Sequence, residues 1–315
     1  MPRMKPMCEE REDKKVFRDC ELGYPDYNQN VPFFFNKYRQ PINIEGEYSG
    51  GSCFVFSNGP SITKLDLEKL KIPGMCIMSV NNGASTLLKN NITPDFWTCV
   101  DDPSRFIKEI WMNQKIRKFV PFAHFDKPLW DNQNWSPLKK TVGDCPNMIG
   151  YMRNQKFASH RFWTESSINW GCSKHYGGCR SVLMPAMRIP YLLGFRKIYL
   201  VGVDMKMDET SKYHFNEGRT KGAIKGNNTT YNRFIKEYAP DMNKYAKKLG
   251  LKIYNCNSDS AVTAFEFVDF EEAVLRITEE NCYTKDIKTE GMYLKWDEKV
   301  PRTREEAMKE TGALT

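Results

Sequence analysis

GFRKIYLVGVDMKMD (194–208) is the stretch that decides the fold. It reads as a helix end, a short apolar strand, and a turn that leaves Asp204 at the strand's carboxyl edge. Ligands in open α/β sheets sit at those edges, so Asp204 is a candidate for chemistry. FVFSNGPS (54–61) repeats the pattern upstream: an apolar strand, a Ser-Asn-Gly-Pro-Ser turn, then a helix. Backbone N–H groups at such a helix start suit a phosphate.

Working outward, the same alternation recurs. CIMSV (76–80), DFWTCV (95–100), KFVPFA (118–123) and LKIYNCN (251–257) read as strands. Helical patterns follow at Leu65–Leu70, Thr86–Lys89, SRFIKEIWMNQ, NRFIKEYAPDMNKYAKKLG (232–250) and FVDFEEAVLRI (267–277). Pro185 and Pro190 fall inside SVLMPAMRIPYLLG (181–194) and predict a kinked or late-starting helix. The expectation is an α/β, Rossmann-type, mostly parallel sheet forming one domain over 46–296. Residues 1–45 read as an irregular leader, packed on the core through Phe33, Phe34 and Phe35, and 297–315 as a polar tail. Residues 124–176 break the rhythm and read as an insertion. The polar, Gly-rich stretch 209–229 reads as a lid loop.

The 315 residues carry 10 irregularly spaced cysteines and a net charge of +8. The N-terminus has no apolar core, and no run reaches the roughly 20 apolar residues of a membrane span. These features predict a cytoplasmic protein with reduced thiols. The charge, dispersed along the chain, is compatible with nucleic acid or phosphorylated ligands.

Several residues invite a chemical reading beside a plainer one. Ser57, Asn58, Gly59, Pro60 and Ser61 make either a phosphate loop or an ordinary strand-to-helix turn. Asn81 and Asn82 either hold a base or ribose edge or fill a left-handed turn. Asp101 and Asp102 are either a metal-binding pair or a helix N-cap. Cys172, His175 and Cys179 lack the paired spacing that zinc prefers. His214, one of four histidines, is a candidate general base or a surface residue.

The order of these pieces, from N-G-P-S through LGF-KIYLVGVD and LKIYNCNSDS to NCYTKDI, resembles the bacterial sialyltransferases of the Campylobacter type. It is also similar to the motility-associated glycosyltransferase-like and hydroxymethylpterin pyrophosphokinase-like proteins. The likeness spans about residues 52–290. It implies a glycosyltransferase-A-like fold with a lid insertion, and an enzyme moving a sugar from a CMP- or UDP-sugar to an acceptor hydroxyl. Ser57–Ser61 and Asn81 would hold the nucleotide and Ser181 or Cys179 the donor sugar. Tyr213, Lys225 or Tyr231 would neutralise the leaving phosphate. The family's base, a His in a Gly-His-Ser-Lys segment, has no counterpart in Lys225–Thr229, so the base role passes to Asp204 or His214. The likeness argues against a divalent metal; Asp101-Asp102 leaves one open. A hydroxymethylated DNA base, as in virus-encoded DNA modification, or a glycan fits as acceptor. Trp111, Trp130, Trp135, Trp163 and Trp170, with Lys139, Lys140, Arg153 and Arg161, would stack a sugar or, equally, an extruded base beside phosphate-binding cations. Two alternatives stand beside this reading: ATP-dependent pyrophosphoryl transfer to a pterin-like alcohol, and nucleotide binding without turnover. The oligomeric state has no sequence signal.

Overall fold

The computed structural model describes residues 33–281, apart from 39, 132–135, 152, 155–158, 165–167, 170–180 and 208–220. Its strands are β1 (Phe34–Phe35), β2 (Pro41–Ile42), β3 (Ser52–Phe56), β4 (Ile77–Val80), β5 (Phe96–Thr98), β6 (Arg117–Pro121), β7 (Pro128–Asp131) and β8 (Ser136–Thr141). They continue with β9 (Met148–Tyr151), β10 (Arg153–Asn154), β11 (Ile168–Asn169), β12 (Lys197–Val201), β13 (Lys252–Asn255) and β14 (Glu266–Phe267). The helices are α1 (Gly83–Lys89), α2 (Lys108–Met112), α3 (Leu183–Leu193), α4 (Lys221–Arg233), α5 (Ala239–Lys248) and α6 (Phe270–Glu280).

Ten strands form one sheet in the order β14-β13-β12-β3-β4-β5-β6-β9-β1-β2. From β14 to β9 every pair is parallel; β1 and β2 add antiparallel edges. The α/β reading therefore holds. Strands covered on both faces lose the apolar/polar alternation, and β3, β4 and β6 are buried at every position. Cys53, Val55, Met78, Ile198 and Leu200 point to a core shared with α3. Phe54, Phe56, Ile77, Tyr199 and Val201 point the other way, to a core shared with α6. Asn281, past the end of α6, exchanges two hydrogen bonds with the backbone of Ser52 and so pins α6 to the start of β3.

The structure departs from the sequence reading in three places. Residues 33–44, expected in an irregular leader, supply β1 and β2, because Phe33, Phe34 and Phe35 are all buried. The expected insertion is not one body: β9 lies within the main sheet, while β7 and β8 pair separately. Met148–Tyr151 enters the sheet because Gly150 leaves room for Phe122; a Cβ at Gly150 would lie 2.5 Å from the Phe122 ring. Residues 221–229, expected in a loop, are helical despite Gly222 and Gly226. Packing of Phe234, Ile235 and Tyr238 against the core overrides that weak propensity. Helix α3 runs unbroken through its prolines. Pro185 sits in the first turn, where backbone N–H groups have no helical partner.

Two of the tryptophans assigned to acceptor stacking are core residues. Trp111 packs edge-on to Trp97 with ring centroids 4.8 Å apart. Trp163 is buried and its indole N–H donates to Met242 O at 2.9 Å. Trp135 and Trp170 lie outside the described residues. Cys53, Cys76, Cys99, Cys145 and Cys256 are buried thiols outside any disulfide. No helix among the described residues is long and apolar enough to cross a membrane.

At the sheet's opposite edge, Asp95 is partly buried and accepts the Ile77 N–H at 2.7 Å. Burial pushes its carboxyl up to about 6, against the hydrogen bonds from Ile77 and its own N–H and the field of Arg117. Arg117, fully buried, pairs with Glu47 at 2.7 Å.

Candidate functional site

Chain order and sheet order part company at β3. The chain runs outward through β4, β5 and β6, then returns to lay β12 on the other side of β3. Such a reversal separates the loops at the carboxyl ends of the flanking strands and opens a crevice there. A cavity of about 370 Å³ occupies this edge. Ser57 and Gly59 follow β3, Asn81 follows β4, Asp101 follows β5, and Gly202–Lys206 follow β12. Ser181, Val182 and Leu183 bring the start of α3 to the cavity, and Asn227, Thr230 and Tyr231 bring one face of α4.

The Ser-Asn-Gly-Pro-Ser turn is a closed latch. Gly59 N–H donates to Gly202 O at 2.9 Å. Ser61 donates its N–H to Asp204 Oδ2 at 2.9 Å and its hydroxyl to Asp204 Oδ1 at 2.5 Å. Both glycines are sterically required. A Cβ at Gly59 would lie 2.4 Å from Gly202 O, and one at Gly202, where φ is +69°, would lie 2.5 Å from Ser57 O. The N–H groups of Gly59 and Ser61, expected to cradle a phosphate, are therefore engaged inside the protein. The carboxylate of Asp204 stands where the anion would have been. The Asn58 side chain turns inward and accepts the Thr86 hydroxyl at 2.7 Å, and Pro60 opens a single 3₁₀ turn.

Asp204 accepts a third hydrogen bond, from Asn257 Nδ2 at 2.7 Å. Its backbone oxygen accepts Ala261 N–H at 3.0 Å, and Ser260 Oγ donates to Val203 O at 2.6 Å. One carboxylate thus joins the loops after β3, β12 and β13. With its two oxygens engaged by three protein donors, Asp204 clamps these loops together.

Asn81 has φ of +47°, so the turn reading is realised, and the residue still lines the cavity. Its backbone oxygen accepts the Trp97 indole N–H at 2.9 Å. Its side-chain Oδ1 is buried and has no hydrogen-bond partner among the described residues. A buried amide oxygen without a donor is costly, and the cavity is the side from which a donor can come. Asn82 caps α1 without a side-chain hydrogen bond and is not among the cavity's lining residues.

Asp102 is an N-cap, as its plainer reading had it. It accepts both the N–H and hydroxyl of Ser104 and pairs with Lys127 at 3.0 Å. Partial burial works against it, but these partners bring its carboxyl down to about 2. Asp101 lines the cavity with a half-exposed carboxylate, 3.5 Å from Arg105. Among the described residues no cluster of three or more His, Cys, Asp or Glu could hold a metal.

Of the other expected site residues, Ser181 and Tyr231 line the cavity, while Lys225 is exposed on α4. Tyr213, His214 and the Cys172, His175 and Cys179 group lie outside the described residues. The sequence reading missed Lys206, Asn227, Thr230 and the clamp residue Asn257 as site residues. The i, i+3, i+4, i+7 spacing of Asn227, Thr230, Tyr231 and Phe234 was the available signal for a helix with one inward face.

A family model described as "6-hydroxymethylpterin diphosphokinase MptE-like" matches residues 27–210. No curated protein matches the chain. Among solved structures, the MAf glycosyltransferase from Magnetospirillum magneticum AMB-1 is 14% identical over 85% of this chain and 42% of that one, with a TM-score of 0.40. The chain thus spans less than half the length of that protein. A mammalian sialyltransferase, solved with Gal-beta-1-3GalNAc-ortho-nitrophenol, is 12% identical over 71% of this chain and 94% of that one, with a TM-score of 0.29.

Proposed function

The chain belongs to the 6-hydroxymethylpterin diphosphokinase MptE-like family, and on that footing we propose that its cavity takes a nucleotide-activated donor and transfers a sugar from it to an acceptor hydroxyl. The observation that carries the reading is Asn81, which lines a cavity at the sheet's switch point and whose buried Oδ1 has no donor among the described residues. A nucleobase amino group or a ribose hydroxyl supplies the donor that this oxygen lacks. The donor is a CMP- or UDP-sugar, with its nucleoside against Asn81 and Val80.

The donor's phosphates belong at the start of α3, beside Ser181, since the N-G-P-S turn is closed. An 11-residue helix presents its positive end there. Thr230 and Tyr231 add hydroxyls and Lys206 a cation to the same cavity. Asp101 is the lining carboxylate left to accept the proton of the attacking hydroxyl. In the transfer the bond between the sugar's anomeric carbon and the phosphate oxygen breaks, the acceptor oxygen bonds that carbon, and the nucleotide leaves with its phosphate. A divalent ion carried in on the donor would meet Asp101. The acceptor is a hydroxymethylated DNA base or a glycan.

The family description favours a second reading, diphosphoryl transfer from ATP to a pterin-like alcohol. Incubation with CMP-sugars, UDP-sugars and ATP separates the two. Sugar release supports the first, AMP release from ATP the second. Nucleotide-induced thermal stabilisation without either product would leave a binding protein.

A further inference from the structure

The chain's charge is concentrated where its composition alone does not show it. Helix α4, a π-helical turn over Phe234–Tyr238 and helix α5 form a continuous helical run over 221–248. This run holds six lysines and Arg233 against Glu237 and Asp241, a net charge of +5 out of +8 for the whole chain. Lys221, Lys225, Lys236, Lys244, Lys247 and Lys248 are all exposed. The first five follow one another at spacings of 4, 11, 8 and 3 residues, which at 3.6 residues per turn spread them over about 140°, one broad side of the run. Phe234, Met242 and Ala246 are buried on the other side. At about 1.5 Å per residue the row is roughly 40 Å long, a little more than one turn of duplex DNA, about 34–36 Å.

We infer that this lysine row is a docking track for the phosphate backbone of double-stranded DNA. Three observations favour a nucleic acid over an anionic membrane. A helix that lies in a membrane interface needs a free apolar face, and here that face is in the core. Lys248 and Lys244 flank the Tyr245 ring at 5.2 and 6.0 Å, which sets an aromatic surface among the cations. The same helical run lines the cavity with its other face, through Asn227, Thr230 and Tyr231. Phosphate contacts of this kind position a duplex and read no sequence. The inference rests on the proposed function only in making DNA the carrier of the acceptor; binding itself needs no transfer.

The test is fluorescence anisotropy of a labelled 24-base-pair duplex with the full chain, across a salt series. Binding should weaken linearly in log Kd against log salt. Lys236→Glu, Lys244→Glu and Lys247→Glu together should weaken it more than about tenfold and flatten the slope by roughly 0.9 for each phosphate no longer neutralised. Lys89→Glu, Lys108→Glu and Lys115→Glu, with the same charge change away from the row, should leave it within about twofold. No duplex binding by the parent chain, equal loss in both triple variants, or binding to phosphatidylserine vesicles without binding to DNA would each overturn the track. Nucleotide-induced thermal stabilisation, read on the same triple variants, keeps the two ideas apart. Retained stabilisation in a parent chain that binds no DNA would sink the track and leave the cavity reading standing.

Discussion

Ser61 and Asp204, separated by 143 positions in sequence, are joined twice: hydroxyl to Oδ1 at 2.5 Å and backbone N–H to Oδ2 at 2.9 Å. With Asn257 as the third donor, this carboxylate ties together three strand ends. Asp204→Ala would leave the Ser61 N–H and hydroxyl and the Asn257 amide without their acceptor. The expected cost is about 2–4 kcal/mol, read from the urea midpoint. Unchanged stability with abolished turnover would instead make Asp204 a reacting group.

Gly59→Ala tests the latch itself. The added methyl would lie 2.4 Å from Gly202 O, a backbone atom with little freedom to retreat. Destabilisation of roughly 1–3 kcal/mol is expected, together with weaker nucleotide binding because Ser57 and Gly59 line the cavity. A fully stable Gly59→Ala variant would mean the two turns do not touch.

Asn58 and Asn81 should separate cleanly. Asn81→Gly keeps the left-handed backbone, removes the unpaired oxygen at the cavity and should weaken nucleotide binding by about 1–3 kcal/mol with little change in melting temperature. Asn58→Ala strips the Thr86 hydroxyl of its acceptor, so its effect should fall on stability. Calorimetric titration and thermal melts of the two variants decide the matter; the reverse assignment would relocate the ligand.

Asp101→Asn addresses turnover. Loss of a general base lowers kcat by roughly 10²–10⁴-fold, while the Michaelis constant for the donor stays near its parent value. An unaffected kcat would move the proton acceptor elsewhere.

Asp95 predicts a pH dependence of folding. Its carboxyl titrates near 6 in the fold against an ordinary value of 3.8, so the folded state holds the proton more tightly. That contribution is complete below the ordinary value and is lost as pH rises through about 6. The swing is of the order of 3 kcal/mol. Asp95→Asn keeps an acceptor for Ile77 N–H and should flatten stability between about pH 4 and 6. Parallel stability curves for the two proteins would remove Asp95 as the source.

The parallel strands were legible because strands buried on both faces read as unbroken apolar runs, as in CFVFS and KIYLV. Asp204 was legible as a site residue by its place after such a run. Its role was not, since Ser61 and Asn257 lie 143 and 53 residues away and no local pattern records such a pairing. β9 was hidden because its sheet partners, in β6 and β1, lie far from it in sequence or run antiparallel to it, and its fit depends on the space Gly150 leaves for Phe122. α4 was hidden because its two glycines and polar face look like a loop until Phe234 is known to anchor it.

The latch also gives the cavity a direction. With the Asp204 carboxylate fixed at its β3–β12 end and the positive end of α3 also in its lining, the cavity carries both signs of charge. A ligand with one charged and one neutral end is sorted by that field before any specific contact forms. The reversed pose would set anion against anion. The orientation of such a ligand would follow from the fold's own framework, and it would survive large changes in the other side chains that line the cavity.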